Sequence, residues 1–244
     1  MTYPWAKKLP SWLFPSTCLL CGAPGQNDRD LCPGCHQELP YNTIACRCCA
    51  IPLKADPDQF LICGQCQRTP PSFAQAFAPF IYRPPVDTLI QGLKFHGRLT
   101  VARLLGELLG EALIQGSNPL PEYLIPVPLH PSRLRERGFN QALELARPVA
   151  RRLGIPLIAD GVLRTRQTLP QSQLNVNSRR ANMRGAFVVS RALHARHVAI
   201  LDDVMTTGST VEELAQALRK AGIAEIQVWA CARTPRNEEK NHGS

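Results

Sequence analysis

His197-Val-Ala-Ile-Leu-Asp-Asp-Val-Met-Thr-Thr-Gly-Ser-Thr210 is the stretch on which the reading of this chain turns. It opens with an aliphatic, β-branched run, Val198 to Leu201, the pattern of a buried parallel strand. Asp202 and Asp203 stand where that strand is expected to end. A small, hydroxyl-rich turn follows, Thr206-Thr207-Gly208-Ser209-Thr210. From Val211 to Ala221, apolar residues at Leu214, Ala217, Leu218 and Ala221 predict a helix.

Each part has a chemical use. Backbone N–H groups at a helix start lack intrahelical partners, and the helix dipole adds partial positive charge there, so the turn can cradle a phosphate. Gly208 admits close approach of the anion, and the hydroxyls of Thr206, Thr207, Ser209 and Thr210 can donate to its oxygens. Carboxylates repel a phosphate but accept hydrogen bonds from vicinal hydroxyls. Two acids followed by a phosphate turn therefore point to a phosphorylated sugar at the strand end, where open α/β sheets bind ligands. The plainer alternative is a strand–turn–helix whose acids only cap the helix.

This order closely resembles the phosphoribosyl-pyrophosphate (PRPP) loop of type I phosphoribosyltransferases. The resemblance implies that Asp202 and Asp203, the candidate catalytic pair, hold the ribose hydroxyls, and that Thr206, Thr207, Gly208, Ser209 and Thr210 hold the 5′-phosphate. Some proteins with this loop bind PRPP only as a signal, so catalysis stays open.

At 244 residues, with 44% hydrophobic and 19% charged side chains, the chain reads as soluble and globular, with room for one large domain or two smaller ones. No apolar run approaches the ~20 residues needed to cross a bilayer, and Met1 to Pro15 does not read as a signal peptide. A cytoplasmic location is the expectation. The net charge of +9 is concentrated: residues 133–184 hold eleven arginines against Glu136, Glu144 and Asp160, whereas residues 1–75 carry six basic and five acidic groups. A solvated face usually mixes Lys with acids. An excess made of Arg suits bidentate phosphate binding, with pyrophosphate and nucleic acid as candidates.

Nine of the ten cysteines fall between Cys18 and Cys66 and make four Cys-x-x-Cys knuckles: Cys18/Cys21, Cys32/Cys35, Cys46/Cys49 and Cys63/Cys66. Two knuckles supply the four thiolates that structural zinc prefers. The arrangement resembles a double zinc ribbon, which implies two structural zinc ions. The simplest partition is sequential, and an interleaved one stays open. Disulfides are the competing reading, disfavoured in a reducing compartment. Cys48 is an extra thiol, and Cys231 is expected in the core. So short a segment buries little apolar surface, so the metal should supply its folding energy.

The expected organisation is an N-terminal segment (1–17), the double ribbon (18–68), a Pro-punctuated linker (69–85), an α/β phosphoribosyltransferase-like domain with a parallel sheet flanked by helices (86–235) and a tail (236–244). Val86 to Ile114 reads as two helices interrupted at Leu93-Lys94-Phe95-His96-Gly97-Arg98, where Lys94 and Arg98 could reach a phosphate. Glu122 to Val127 predicts a strand, then a basic loop, then a helix to Leu153. In phosphoribosyltransferases that loop holds pyrophosphate, which marks Arg133, Arg135 and Arg137. A short strand is expected over Ile155 to Ile158. Related enzymes then carry a loop that closes over the reaction centre, which marks Arg164, Arg166, Thr168, Gln171, Arg179 and Asn182. Ala224 to Cys231 predicts the last strand.

The knuckles, Leu-Lys-Phe-His-Gly-Arg (93–98), Arg-Gly-Phe-Asn-Gln (137–141) and Leu-Asp-Asp-Val-Met-Thr-Thr-Gly-Ser-Thr (201–210) together resemble the ComF family, over about residues 10 to 235. The resemblance implies a factor handling single-stranded DNA after uptake, or supporting the use of external DNA. It leaves two readings: a Mg²⁺-dependent phosphoribosyltransferase acting on PRPP and an unknown acceptor, or a nucleic-acid-binding adaptor with PRPP as regulator. A helicase-like protein partner is a third, weaker expectation.

Overall fold

The structure, a computed structural model, describes residues 16–54, 61–116, 119–166 and 185–236. Along the chain these form α1 (Pro33–Gln37), α2 (Gly64–Arg68), β1 (Gln75–Phe77), β2 (Phe80–Ile81), α3 (Val86–His96), α4 (Leu99–Gln115), β3 (Tyr123–Pro126), α5 (Pro131–Arg137), α6 (Gln141–Leu153), β4 (Val162–Arg164), β5 (Phe187–Val189), β6 (His197–Met205), α7 (Ser209–Lys220) and β7 (Glu225–Arg233). The main sheet has the order β1-β7-β6-β3, with β2 also on β7, and every pairing in it is parallel. All C-terminal strand ends therefore share one edge.

Burial explains the centre of this sheet. Val198 to Leu201 on β6 are each 0% exposed, as are Ile226, Val228, Ala230, Cys231 and Ala232 on β7. Strands covered on both faces need such continuous apolar runs. Helices flank the sheet: α6 packs on β3 and β6, α7 on β6, and α4 crosses α6. That last crossing needs Gly106, because a Cβ there would lie 2.4 Å from Pro148 Cγ and 2.7 Å from the Leu145 carbonyl. Among the described residues no helix is long and apolar enough to cross a membrane.

Several expectations shift. β6 does not end at the acids: Val204 and Met205 go on pairing with Ala232 and Arg233, so the carboxylates sit inside the strand's last segment. The strand expected over Ile155 to Ile158 is a single bridge, Leu157 to Leu124, and the bend at Ala159–Asp160 ends it. Arg164, marked for the loop that closes over the reaction centre, instead ends β4, which pairs antiparallel with β5. Val162 is buried and Leu163 exposed, the alternation of a strand with one covered face. Segment 69–85 does more than connect, since β1 and β2 extend the sheet at β7. The break between α3 and α4 is a left-handed Gly97, with φ +61°.

Candidate functional site

The sequential cysteine partition is the one formed. The Sγ atoms of Cys18, Cys21, Cys32 and Cys35 all lie within 4.8 Å of one another, and so do those of Cys46, Cys49, Cys63 and Cys66. Cys21 to Cys32 is 3.6 Å and Cys49 to Cys63 is 3.7 Å. Sulfurs at the corners of a zinc tetrahedron with ~2.3 Å bonds stand roughly 3.8 Å apart, whereas a disulfide needs about 2.05 Å. The donor set therefore fits structural zinc, and the disulfide reading fails. Cys48 stays outside both sets.

The two ribbons repeat one backbone scheme. Cys18 N–H donates to the Ala23 carbonyl at 2.8 Å and Cys46 N–H to that of Ile51 at 2.9 Å. Gly22 N–H closes on the Cys18 carbonyl and Ala50 N–H on that of Cys46. Both closing residues are left-handed, Gly22 at φ +77° and Ala50 at +54°. The second knuckles each open a one-turn helix, Cys32 before α1 and Cys63 before α2. Backbone N–H groups also reach sulfur, Cys35 to Cys32 Sγ at 3.4 Å and Cys63 to Cys46 Sγ at 3.2 Å, which steadies a thiolate ligand.

At the C-terminal edge of the sheet, Thr206 and Thr207 lead from β6 to Gly208, the N-cap of α7, at φ +80°. That conformation favours glycine, and an added Cβ would meet Met205 Cε at 3.1 Å. Ser209 N–H turns back to Thr207 Oγ1 at 3.3 Å, and the two hydroxyls lie 2.8 Å apart. Thr206, Thr207 and Thr210 are half-buried around this turn, and Ser209 is buried.

The acids differ in environment. Asp203 is 4% exposed, and its Oδ2 pairs with Lys94 Nζ at 2.8 Å. Burial works against the Lys94 charge, yet the Asp203 carboxylate beside it wins and holds the ammonium above its usual range. Asp202 is half-buried; desolvation first, then the Asp203 charge, push its carboxyl up to about 7, with Lys94 pulling the other way. Cys231, on β7 beside the acid-bearing segment of β6, is a buried thiol held well up, first by burial and then by the two carboxylates.

The arginines separate into groups. Arg133, Arg135 and Arg137 ride on α5, a short helix in place of the expected loop: His130 accepts from Ser132 N–H at its start and left-handed Gly138 ends it. Arg133 pairs with Glu136 at 2.8 Å, Arg137 is half-buried and Arg135 is exposed. Asn140 caps α6 and donates to the Val127 carbonyl at 3.0 Å, which ties this segment to the end of β3. Arg164 lies 5.7 Å from the Phe187 ring centroid. Burial lowers its pKa, while Asp202 raises it and Arg133 lowers it, so all three share one electrostatic neighbourhood. Arg166 is exposed, and Thr168, Gln171, Arg179 and Asn182 lie outside the described residues.

Three features escape sequence reasoning. One is the Lys94–Asp203 pair, although the sequence marks Lys94 for phosphate. Another is a cleft of about 440 Å³ between the α3–α4 turn and α5, where Lys94, Arg133, Arg137, Phe95 and Phe139 meet with Glu136 as its acid. The third is Arg233, 5% exposed, which donates to backbone carbonyls of both the second ribbon and the β6–α7 turn. No local pattern around Arg233 signals that role.

Residues 9–67 match the family model described as a double zinc ribbon domain, and residues 140–243 match that of a phosphoribosyl transferase domain. The chain is 35% identical over 225 residues to "DNA utilization protein YhgH" of Escherichia coli (strain K12), covering 90% of this chain and 98% of that protein. It is 37% identical over 213 residues to "Competence protein F" of Haemophilus influenzae, covering 83% and 90%. At 25% identity it matches "Competence protein ComFC" of Streptococcus pneumoniae over 157 residues, 64% of this chain and 67% of that one. With both halves matched in order and two four-cysteine zinc-binding sites ahead of a parallel α/β sheet, the chain belongs to the ComF family of double-zinc-ribbon, phosphoribosyltransferase-fold proteins.

Proposed function

We propose that this chain binds PRPP, with Mg²⁺, at the C-terminal edge of β6, and works in the handling or use of imported single-stranded DNA. The observation that carries the ligand is the continuous run from an acid pair inside a strand end to a glycine-capped helix start. Asp202 and Asp203 would accept the ribose hydroxyls and the Thr206–Thr210 turn would take the 5′-phosphate. The diol would compete with Lys94 for Asp203. Mg²⁺ held with the ligand beside Asp202 and Asp203 would supply charge neutralisation for the pyrophosphate group. The arginines of α5 and Arg164 add fixed positive charge on the same side. Relatives named for DNA utilisation and competence support the biological setting.

Pyrophosphate release from PRPP and Mg²⁺ tests the transferase form of this reading. Release that is abolished in Asp202→Asn and Asp203→Asn supports it, and release unchanged in both removes the acids from the reaction.

One observation favours nucleic acid beside the sugar site. Phe95 is 72% exposed, with Phe139 across the cleft and Lys94, Arg133 and Arg137 around them. Exposed aromatics among cations offer stacking faces and phosphate contacts to a single strand. Affinity for an unlabelled oligonucleotide should fall steeply with salt, with a slope of about 0.7 per phosphate neutralised. Phe95→Ala should weaken binding at every salt concentration and leave that slope in place. A salt-independent affinity would reject this surface.

A further inference from the structure

Arg233 ends β7 at 5% exposure, and its guanidinium donates to four backbone carbonyls with the Cys49 side chain beside it. Nε donates to the Cys49 carbonyl at 2.9 Å. Nη1 donates to the carbonyls of Met205 at 2.7 Å and Thr234 at 3.1 Å, and to that of Thr206. Cys49 belongs to the second four-cysteine centre, and Met205–Thr206 is where β6 leaves the sheet for the phosphate turn. One buried cation thus joins a metal-ligand residue to the turn. A cavity of about 330 Å³ lies along the same seam, with Cys49 and Cys66 on one wall and Thr207, Gly208 and Ser209 on the other. A second tie runs beside it, from the Ser72 N–H and hydroxyl to Glu212 of α7 at 3.0 and 2.6 Å. The first ribbon is fastened elsewhere, by Leu31 and Leu39 in the main core and by Arg29 to Glu111 and Asp30 to Arg103, both partners on α4.

Peptide planarity turns these bonds into a statement about the ligand site. In a trans peptide the C=O and the following N–H point in opposite directions. With the Met205 carbonyl held by Thr234 N–H and Arg233, and the Thr206 carbonyl by Arg233, the N–H groups of Thr206 and Thr207 are fixed on the opposite side of their peptide planes, next to the start of α7.

We propose that Arg233 is a positioning residue that makes the phosphate turn depend on the integrity of the second four-cysteine centre, while the first centre serves only its own docking on α4. Loss of metal from the second centre frees the Cys49 backbone, Arg233 loses its anchor, and the 206–207 peptide, whose carbonyl Arg233 holds, loses its orientation while Met205 stays paired with β7. The effect on affinity rests on the PRPP reading above; the effect on the turn itself does not.

The experiment uses full-length protein with zinc counted per chain. Amide hydrogen exchange at residues 206–209 is followed without ligand, and PRPP·Mg²⁺ affinity by calorimetry. The variants are Cys66→Ser, Arg233→Met, Arg233→Lys and Glu111→Gln. Cys66→Ser and Arg233→Met should each speed exchange at 206–209 and weaken PRPP about tenfold, the scale of one lost oriented hydrogen bond to an anion. Arg233→Met should do so with two zinc ions still bound, and Arg233→Lys, which keeps charge and donors, should recover part of both effects. Glu111→Gln, which loosens the first ribbon, should change neither by more than about twofold. Unchanged exchange at 206–209 in zinc-replete Arg233→Met overturns the proposal. Equal effects of Glu111→Gln and Cys66→Ser overturn it as well. Should Arg233→Met fail to fold, the contrast between Cys66→Ser and Glu111→Gln decides. Wild-type protein that ignores PRPP removes the sugar reading alone, and the exchange data still judge the coupling.

Discussion

Cys18 and Cys46 open ribbons with the same backbone bonds, yet the ribbon around Cys18 joins the main core through Leu31 and Leu39 and pairs its charges with α4, whereas the ribbon around Cys46 keeps a small apolar cluster of its own and is tied to the sheet by the buried Arg233 guanidinium. Local structure in both is dictated by thiolates that must converge on a metal. What each ribbon does is dictated by what lies on its outer face. Apolar packing fixes the first ribbon whichever way its ion pairs are set, and the pairs add little. A buried Arg binds the second ribbon to the β6–α7 turn directly: without it the Cys49 and Thr206 carbonyls lose this donor, while Met205 keeps its bond from Thr234 N–H. Duplicated sequence thus yields one fold unit and two levels of coupling to the sheet.

Metal removal is the coarsest way to break that contrast. Chelation should release two zinc ions per chain and unfold both ribbons, since structural zinc contributes on the order of 10 kcal/mol to such units. Exchange protection in β6 and β7 should survive, because both strands carry continuous runs of fully buried apolar residues. Loss of β6 protection together with the metal would contradict the division. The next effect in size is Arg233→Met, expected to lower stability by about 2 kcal/mol in urea unfolding through the lost charged hydrogen bonds to the half-buried Cys49 and Thr206 carbonyls. A loss below about 1 kcal/mol would place the second ribbon on the same footing as the first.

Asp202 gives an effect on the order of 2 kcal/mol after allowance for screening. Its folded pKa, up to about 7, lies above the ordinary carboxylate value, so the fold favours the protonated form. That contribution is full at pH below the unfolded value of about 4 and is lost as pH rises through 7. Thermal unfolding of ligand-free protein should show Asp202→Asn gaining over wild type at about pH 8 and not at about pH 4. A gain independent of pH would mean another group titrates.

The smallest changes probe the first ribbon. Gly22 is left-handed with nothing within 4 Å of an added Cβ, and its counterpart is already Ala50, so Gly22→Ala should cost about 1 kcal/mol of backbone strain alone. Glu111→Gln weakens the pairings with Arg29 and Arg152 and should cost about 0.5 kcal/mol. Urea midpoints would order these two below Arg233→Met, and the reverse order would invert the comparison.

The legible parts of this molecule are those whose chemistry is consecutive in the chain. His197 to Thr210 states strand, acids and turn in one unbroken run, and the knuckle spacing states the metal sites. Legibility fails where distant residues meet. Nothing near Lys94 announces Asp203, because their pairing depends on how α3 settles over the strand ends. Phe95 and Phe139 share a cleft only once α5 folds between β3 and α6. Arg233 ends an apolar run and reads as the point where a strand meets solvent, yet it is buried because the second ribbon covers it. β1 and β2 are too short to show a period, and pairing with β7 alone makes them strands.

Calorimetric titration of zinc-replete protein with PRPP and Mg²⁺ tests the central claim most directly. One ligand per chain should bind, and Asp202→Asn and Asp203→Asn should each weaken it by at least about tenfold while zinc content stays at two. No binding by wild type, or affinity equal to wild type in both variants, would contradict a sugar-phosphate site at the end of β6.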